Sequence, residues 1–229
     1  MKSCVCVVAA VLVMASAGQA SAQTYGYSQT YGYGSQRPIQ WHIDGGYAAT
    51  TGHTADYLDN GWTVGGGFTF RPAPGSPFSL RTDLNFSQFL ATNRLISLGE
   101  QQNQTRIDDG TGRIVDLNLN AVFDVPLGRS ARAYVTGGVG GAWRQIELTQ
   151  TVGFGGYFCD PWYGYCDVGI IAGDVLVHRE ETTRFMWNAG LGVEFPLYNG
   201  QSWFIEARYN RIATGEPTEF VPIRVGMRF

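Results

Sequence analysis

Hydrophobic and polar residues alternate with a period of two along most of the chain. Within the segment 114–125, Leu117, Leu119 and Phe123 fall on one side and Asn118 on the other. A period of two places successive side chains on opposite faces of a β-strand, and no segment shows a convincing helical period of 3.6. The alternation predicts eight strands, at residues 39–49, 61–71, 78–87, 114–125, 131–144, 184–195, 203–212 and 219–229.

The connections between these strands differ in length from one end to the other. Short connections fall at residues 72–77, 126–130 and 196–202, and mostly longer ones at 50–60, 88–113, 145–183 and 213–218. Bacterial outer-membrane barrels have short periplasmic turns and longer extracellular loops, a difference that a soluble sandwich does not require, so the longer connections are expected outside the cell.

Large aromatic residues lie near the ends of the apolar faces, where they would form girdles at the two membrane interfaces. They are Trp41, Trp62, Phe70, Phe78, Trp143, Phe195, Trp203 and Phe229. No segment after the first 22 residues is apolar for the roughly 20 residues that a spanning helix needs. A chain that spans a membrane without helices must close into a barrel. We therefore predict an all-β fold, an eight-stranded antiparallel up-and-down transmembrane β-barrel.

The first residues have the organisation of a secretory signal peptide. Lys2 precedes an apolar run, and small residues end at Ala22, so residues 1–22 are expected to be cleaved and the chain exported. Residues 23–37 contain QTYGY twice and almost no aliphatic residues, which predicts a flexible leader. Residues 38–229 would then form the barrel.

Acidic residues and arginines occupy the polar strand faces in near balance, with glycine and asparagine between them. Eight strands enclose only enough space for side chains to fill, so these faces predict a packed, charge-paired lumen. The predicted network comprises Asp44, Arg71, Arg81, Asp83, Asp116, Asp124, Arg132, Glu194, Glu206, Arg208, Arg224 and Arg228, and Arg144 and Arg184 fall on the same faces. Val122 and Met186 are apolar exceptions on the polar faces of their strands.

The long connection 145–183 has an aromatic centre, YFCDPWYGYC. In an oxidising compartment Cys159 and Cys166 predict a disulfide, and further metal ligands at useful spacing are lacking. A closed aromatic tip suits contact with a partner surface or glycan, and a loop that only shields the barrel mouth is the alternative. The predicted contact residues are Tyr157, Phe158, Trp162, Tyr163 and Tyr165.

The final decapeptide, FVPIRVGMRF, alternates and ends on an aromatic residue. It resembles the terminal signal by which bacterial outer-membrane proteins are recognised by the barrel-assembly machinery. With WFIEARYNRI before it, the chain resembles the small outer-membrane barrels of the OmpA, OmpX and opacity-protein type, over residues 39–229 as architecture. The resemblance implies location in the bacterial outer membrane. We expect no OmpA-like peptidoglycan-binding domain, because the predicted barrel ends the chain. The predicted assembly-signal residues are Val221, Ile223, Val225, Met227 and Phe229.

The sequence offers little for catalysis. His42, His53 and His178 could act as bases at neutral pH, but structural or solvated roles account for each, and no nucleophile has a distinctive context. The sequence has 16 cationic and 19 acidic residues. Lys2 would leave with the signal peptide, so the expected mature net charge is 15 minus 19, or −4, and a nucleic-acid partner is not expected. We expect no enzyme, cofactor or metal, and a monomer in contact with outer-membrane lipid and lipopolysaccharide. Its role would be structural or adhesive, through an unknown surface ligand; the alternatives are a small channel for ions or apolar solutes and, less favoured, a lipid-modifying barrel.

Overall fold

The computed structural model describes residues 38–229 except 74, 104–105, 129, 160–165 and 198–199, and it describes the side chains of these residues except 102–103, 152–159 and 166–174. The expected signal peptide and leader lie outside the described residues. Eight antiparallel strands form a closed barrel in sequence order, which confirms the predicted fold class. The strands are β1 (Ile39–Thr51), β2 (Leu58–Phe70), β3 (Phe78–Ala91), β4 (Asp109–Pro126), β5 (Arg132–Cys159), β6 (Cys166–Pro196), β7 (Ser202–Ile212) and β8 (Thr218–Arg228).

The barrel closes where β1 pairs with β8. Their register sets His42 opposite Arg228 and Thr51 opposite Glu219. Beyond the last residue of β8, the backbone N–H of Phe229 donates to the Trp41 carbonyl and that of Trp41 to the Phe229 carbonyl, each at 2.9 Å. The barrel therefore has no unpaired edge at this seam, where an open sheet would have one.

The two faces of each strand differ as the alternation predicts. On β4, Leu117 and Leu119 are 56% and 55% exposed on the outer face, whereas Asn118 is 1% exposed. Most of the girdle aromatics are exposed on the outer wall, and Trp143 is half-buried. Trp41 contacts Phe68 edge to face, with ring centroids 5.5 Å apart. An apolar outer wall with aromatic residues near its ends suits contact with lipid.

The connection predicted at 145–183 is wrong, because β5 and β6 continue far beyond the barrel wall as a two-stranded ribbon. β4 accompanies β5 only as far as Thr149, and β7 begins to pair with β6 at Met186. His178, expected in a loop, consequently lies on β6. Beyond the wall neither face of a ribbon is in lipid or lumen, so the contrast that produces alternation is lost.

Two helices were not predicted, α1 (Thr54–Tyr57) and α2 (Asn93–Asn103). They lie in the connections after β1 and β3, at the same end of the barrel as the ribbon. Leu95 of α2 packs against the buried apolar residues of the barrel. With so few apolar residues, α2 is too short to show a helical period clearly. No helix among the described residues has the length and apolar character needed to cross a membrane.

Candidate functional site in the barrel lumen

The centre of the lumen holds an ion-pair network that joins β3, β7 and β8. The Glu206 carboxylate receives hydrogen bonds from the guanidinium groups of Arg81 and Arg224, each at 2.7 Å. It also pairs with Arg208 at 2.7 Å, and Asp83 pairs with Arg81 at 3.1 Å and with Arg208 at 2.9 Å. All five side chains are almost fully buried. Buried charges are tolerated only with such pairing, and the arginine fork suits it.

A second group of charges lies towards the end where β1 begins and β8 ends. Glu194 receives hydrogen bonds from Arg132 at 2.8 Å and from Arg228 at 2.6 Å, and from the Ser202 hydroxyl at 2.6 Å. Nearby, Asp124 pairs with Arg71. The side chains of Arg71 and Arg132 are 15% and 22% exposed, so water reaches this end of the network.

The structure places all twelve residues of the predicted network on inward faces; ten are buried and the other two are the half-buried Arg71 and Arg132. Eleven of them form ion pairs with one another, and Asp116 has no cationic partner at ion-pair distance among the described residues. The expectation that Arg184 lies in the lumen is wrong: it is exposed, because it lies on the ribbon side of Met186, the outermost buried residue among the described side chains of β6. Arg144 is half-buried at the same end, where it donates to Thr218 at 2.9 Å.

An apolar layer lies inside the barrel towards the end that bears the ribbon, and the sequence analysis did not predict it. Each of the eight strands contributes one member: Ala48, Leu58, Phe89, Ile114, Ala142, Met186, Ile212 and Phe220. Phe89 and Phe220 meet edge to face with centroids 5.4 Å apart. A sequence signal for this layer was Met186, which is an apolar residue on the polar face of its strand. The other exception, Val122, joins Tyr134 and Phe204 in a second buried group.

His42 belongs to the central network. Its Nε2 atom lies 2.9 Å from Asp83 and 3.9 Å from Asp44, and its ring meets Phe204 edge to face at 6.0 Å. The residue is 3% exposed. Its described polar partners are thus carboxylates of the network, an arrangement that positions charges within the lumen.

Buried asparagines complete the polar lining, and sequence reasoning assigned them no partners. Asn85 donates to Asp116 at 2.7 Å, and Asn118 donates to the same oxygen. Asn120 donates to Asp83 at 2.6 Å. Asn188 and Asn210, opposite each other on β6 and β7, are also buried.

Most of the predicted contact loop, including Trp162, Tyr163 and Tyr165, lies outside the described residues. Tyr157 and Phe158 lie on β5, but their side chains are outside the described part of the structure. The backbone pairs Cys159 directly with Cys166, whose side chains are likewise outside the described residues. The disulfide therefore stays a prediction.

At the end of the barrel that bears the ribbon, a pocket of about 120 Å³ is lined by residues of α1, α2, β5 and the connection after β7. Its lining includes Tyr57, Leu95, Arg144 and Glu216. Charged pairs continue on the outer surface here, with Arg113 3.0 Å from Glu147.

The predicted assembly-signal residues occupy the outer face of β8. Ile223, Val225 and Phe229 are between 43% and 49% exposed, and Val221 and Met227 are half-buried. Their side chains therefore form part of the apolar outer wall.

Comparison with known proteins agrees with this architecture. The neisserial surface protein A structure is 10% identical, with a TM-score of 0.50 over 84% of this chain and 96% of that one. A major outer membrane protein from Thermus thermophilus is 12% identical, with a TM-score of 0.51 over 84% of this chain and 99% of that one. No curated protein sequence matches the chain. The profile of the outer membrane protein beta-barrel domain matches residues 6–229. The chain belongs to this family and is a bacterial outer-membrane β-barrel protein.

Proposed function

We propose that this protein is a non-enzymatic outer-membrane barrel with a plugged lumen, acting in membrane structure or in surface interaction through its extracellular elements. The proposal rests on one observation: two sets of buried side chains occupy the lumen. The central ion-pair network joins β3, β7 and β8, and the apolar layer lies between this network and the end of the barrel that bears the ribbon. An ion crossing this barrel would have to displace buried charge pairs and then pass through an apolar layer, both at high free-energy cost.

A small channel is the second candidate, because β5 has inward glycines that could leave the lumen open. The structure argues against a passage at these positions. A Cβ atom on Gly138 would overlap the Asn120 carboxamide, and one on Gly140 would overlap the Asn118 carboxamide. Neighbouring asparagine side chains thus occupy the space that the glycines leave.

Conductance separates the two candidates. Purified, refolded protein in planar lipid bilayers should give no reproducible current steps, in contrast to a porin inserted under the same conditions. Stepwise current that scales with the amount of inserted protein would overturn the plugged lumen and establish the channel.

The ribbon is the most prominent surface for contact. It projects beyond the wall from Gln150 on β5, with strand pairing on one side only. Val175 and Leu176 are 42% and 49% exposed on it. Exposed apolar residues on a projecting element suit partner contact.

Deleting the outer ribbon tests this role. Replacing residues 153–172 with Asn-Gly should leave heat-modifiable, protease-resistant barrel at wild-type level, because β5 leaves its β4 partner at Thr149. Attachment of cells expressing the variant to epithelial or abiotic surfaces should fall to the level of cells without the protein. Unchanged attachment by well-assembled variant would remove the ribbon as the contact surface.

The proposal includes three further partners or states. The apolar outer wall would contact membrane lipid, and the charged pairs near Arg113 and Glu147 would contact lipopolysaccharide headgroups. The β8 outer face would be recognised by the barrel-assembly machinery. The barrel would function as a monomer, since its own closure leaves no strand edge in the wall to complete.

A further inference from the structure

Asp116 is an unusual carboxylate in this lumen. It is 1% exposed, and its Oδ1 atom accepts hydrogen bonds from Asn85, at 2.7 Å, and from Asn118. Its Oδ2 atom has no hydrogen-bond donor among the described residues. The Arg224 guanidinium donates to the Asn85 Oδ1 atom at 2.6 Å. Arg224 is thus connected to Asp116 through the Asn85 side chain and not by a direct contact.

The central ion pairs balance without Asp116. Three carboxylates, those of Asp44, Asp83 and Glu206, pair directly with three guanidiniums. The guanidiniums are those of Arg81, Arg208 and Arg224. Asp116 therefore leaves one negative charge without a direct partner in the described part of the lumen. Buried charges in proteins are normally paired or bound to a cation.

Three further oxygen atoms, on β4, β6 and β7, have no hydrogen-bond partner among the described residues. They are the Oδ1 atoms of Asn118, Asn188 and Asn210, and these residues are between 1% and 4% exposed. The Asn188 amide nitrogen also has no acceptor among the described residues. Four oxygens, one of them charged, thus face the lumen without donors.

The apolar layer shows that these residues lie at similar depths on neighbouring strands. The next inward residues after its members on β4 to β7 are Asp116, Gly140, Asn188 and Asn210, and Asn118 lies one inward position deeper than Asp116. Gly140 has no side chain to separate the β4 residues from those of β6 and β7. The oxygens therefore lie beneath the apolar layer, on the side away from the ribbon.

We propose that Asp116, Asn118, Asn188 and Asn210 form a buried site for a monovalent alkali cation of the size of sodium. Carboxylate and carboxamide oxygens are ligands for hard cations. The described residues contain no cluster of three or more His, Cys, Asp or Glu suited to a metal, which disfavours a transition metal here. A single positive charge neutralises Asp116, whereas a divalent ion would leave excess positive charge beside Arg224.

Cation-dependent stability of the wild-type protein is the first test. The full mature chain, refolded into phosphatidylcholine vesicles, is unfolded with urea in sodium chloride and in choline chloride at equal ionic strength. At a sodium concentration about ten times the dissociation constant, the folded-to-unfolded ratio should be about elevenfold higher in sodium chloride. Equal ratios in the two salts would overturn the proposal, and a protonated Asp116 would give that result.

Two variants test whether the sodium-dependent stability arises at Asp116. Asp116→Asn keeps the shape of the side chain and removes its charge, so the difference between sodium and choline should disappear. Asp59→Asn removes an exposed carboxylate of β2 and should retain the difference. A sodium effect that persists in Asp116→Asn would place the cation elsewhere and overturn the assignment. If this variant does not refold, crystals of wild-type protein soaked in thallium(I) should show anomalous density beside Asp116, and density absent there would overturn it as well.

Discussion

At the scale of single residues, neighbouring glycines of β5 meet different surroundings. Gly140 faces inward, and a Cβ atom there would overlap the Leu117 carbonyl oxygen and come within 2.9 Å of the Asn118 Cα. Gly141 faces outward, and a Cβ atom there would meet no atom within 4 Å. The close approach of β4 and β5 backbones therefore requires glycine at the first position and not at the second.

Gly140→Ala should lower the free energy of unfolding by about 1 to 3 kcal/mol, the usual effect of overpacking. Gly141→Ala is the matched control and should change it by less than about 0.5 kcal/mol, as surface substitutions do. Urea unfolding in lipid vesicles measures both. Equal stability of the two variants would show that the barrel wall adjusts at Gly140 without strain.

Alternation along a strand predicts on which face a residue lies, but not which residue it meets. The inward positions of Asp83 and Glu206 follow from period two alone. Their shared partners, Arg81 and Arg208, depend on register across several strands and on side-chain length, which no single strand encodes. For the same reason, the sequence could not predict that Asp116 has no ion-pair partner in the described part of the chain.

At the scale of elements, β8 combines a predicted signal with a structural role. Its outer face carries the assembly-signal residues, and Phe229 just beyond it makes two backbone hydrogen bonds with Trp41. These roles can be separated, because a substitution at Phe229 retains the backbone bonds and a deletion removes them.

Phe229→Glu should lower the amount of assembled barrel in the outer membrane while export to the periplasm continues. The charged side chain replaces an aromatic at the membrane interface but leaves the seam hydrogen bonds possible. Heat-modified mobility and protease resistance of membrane fractions measure assembly. Phe229→Tyr serves as the control and should assemble normally. Wild-type assembly of Phe229→Glu would argue against a terminal recognition signal.

The elements that alternation predicts well are those within the membrane. There, lipid lies on one side of each strand and a polar lumen on the other, so the contrast between faces is strong. The outer parts of β5 and β6 lack that contrast, and α2 contributes too few apolar residues for a period to emerge. Their absence from the sequence prediction thus follows from their position beyond the barrel wall.

At the scale of the whole molecule, Glu206 connects the two sides of the lumen. It pairs with Arg81 of β3, Arg208 of β7 and Arg224 of β8, and it accepts a hydrogen bond from the Tyr134 hydroxyl of β5 at 3.0 Å. One carboxylate thus holds four strands together from within.

Glu206→Gln should lower the free energy of unfolding by about 3 to 5 kcal/mol, because three buried guanidiniums would lose a shared counter-charge. Glu219→Gln removes a half-buried carboxylate that lies 3.5 Å from the exposed Arg211, and it should cost at most about 1 kcal/mol. Urea unfolding in vesicles compares the two variants. Similar small losses would show that the lumen charges are hydrated and interact weakly.

The seam between β1 and β8 also constrains how the barrel reaches its folded state. It joins the first strand of the chain to the last, so the pairing of Trp41 with Phe229 has a very large sequence separation. Contacts of this kind slow folding, since the entropy of closing the chain is lost before the contact stabilises anything. Until β8 pairs with it, β1 retains an unpaired edge that can join another chain. The protein is therefore exposed to aggregation for as long as the seam between β1 and β8 stays open.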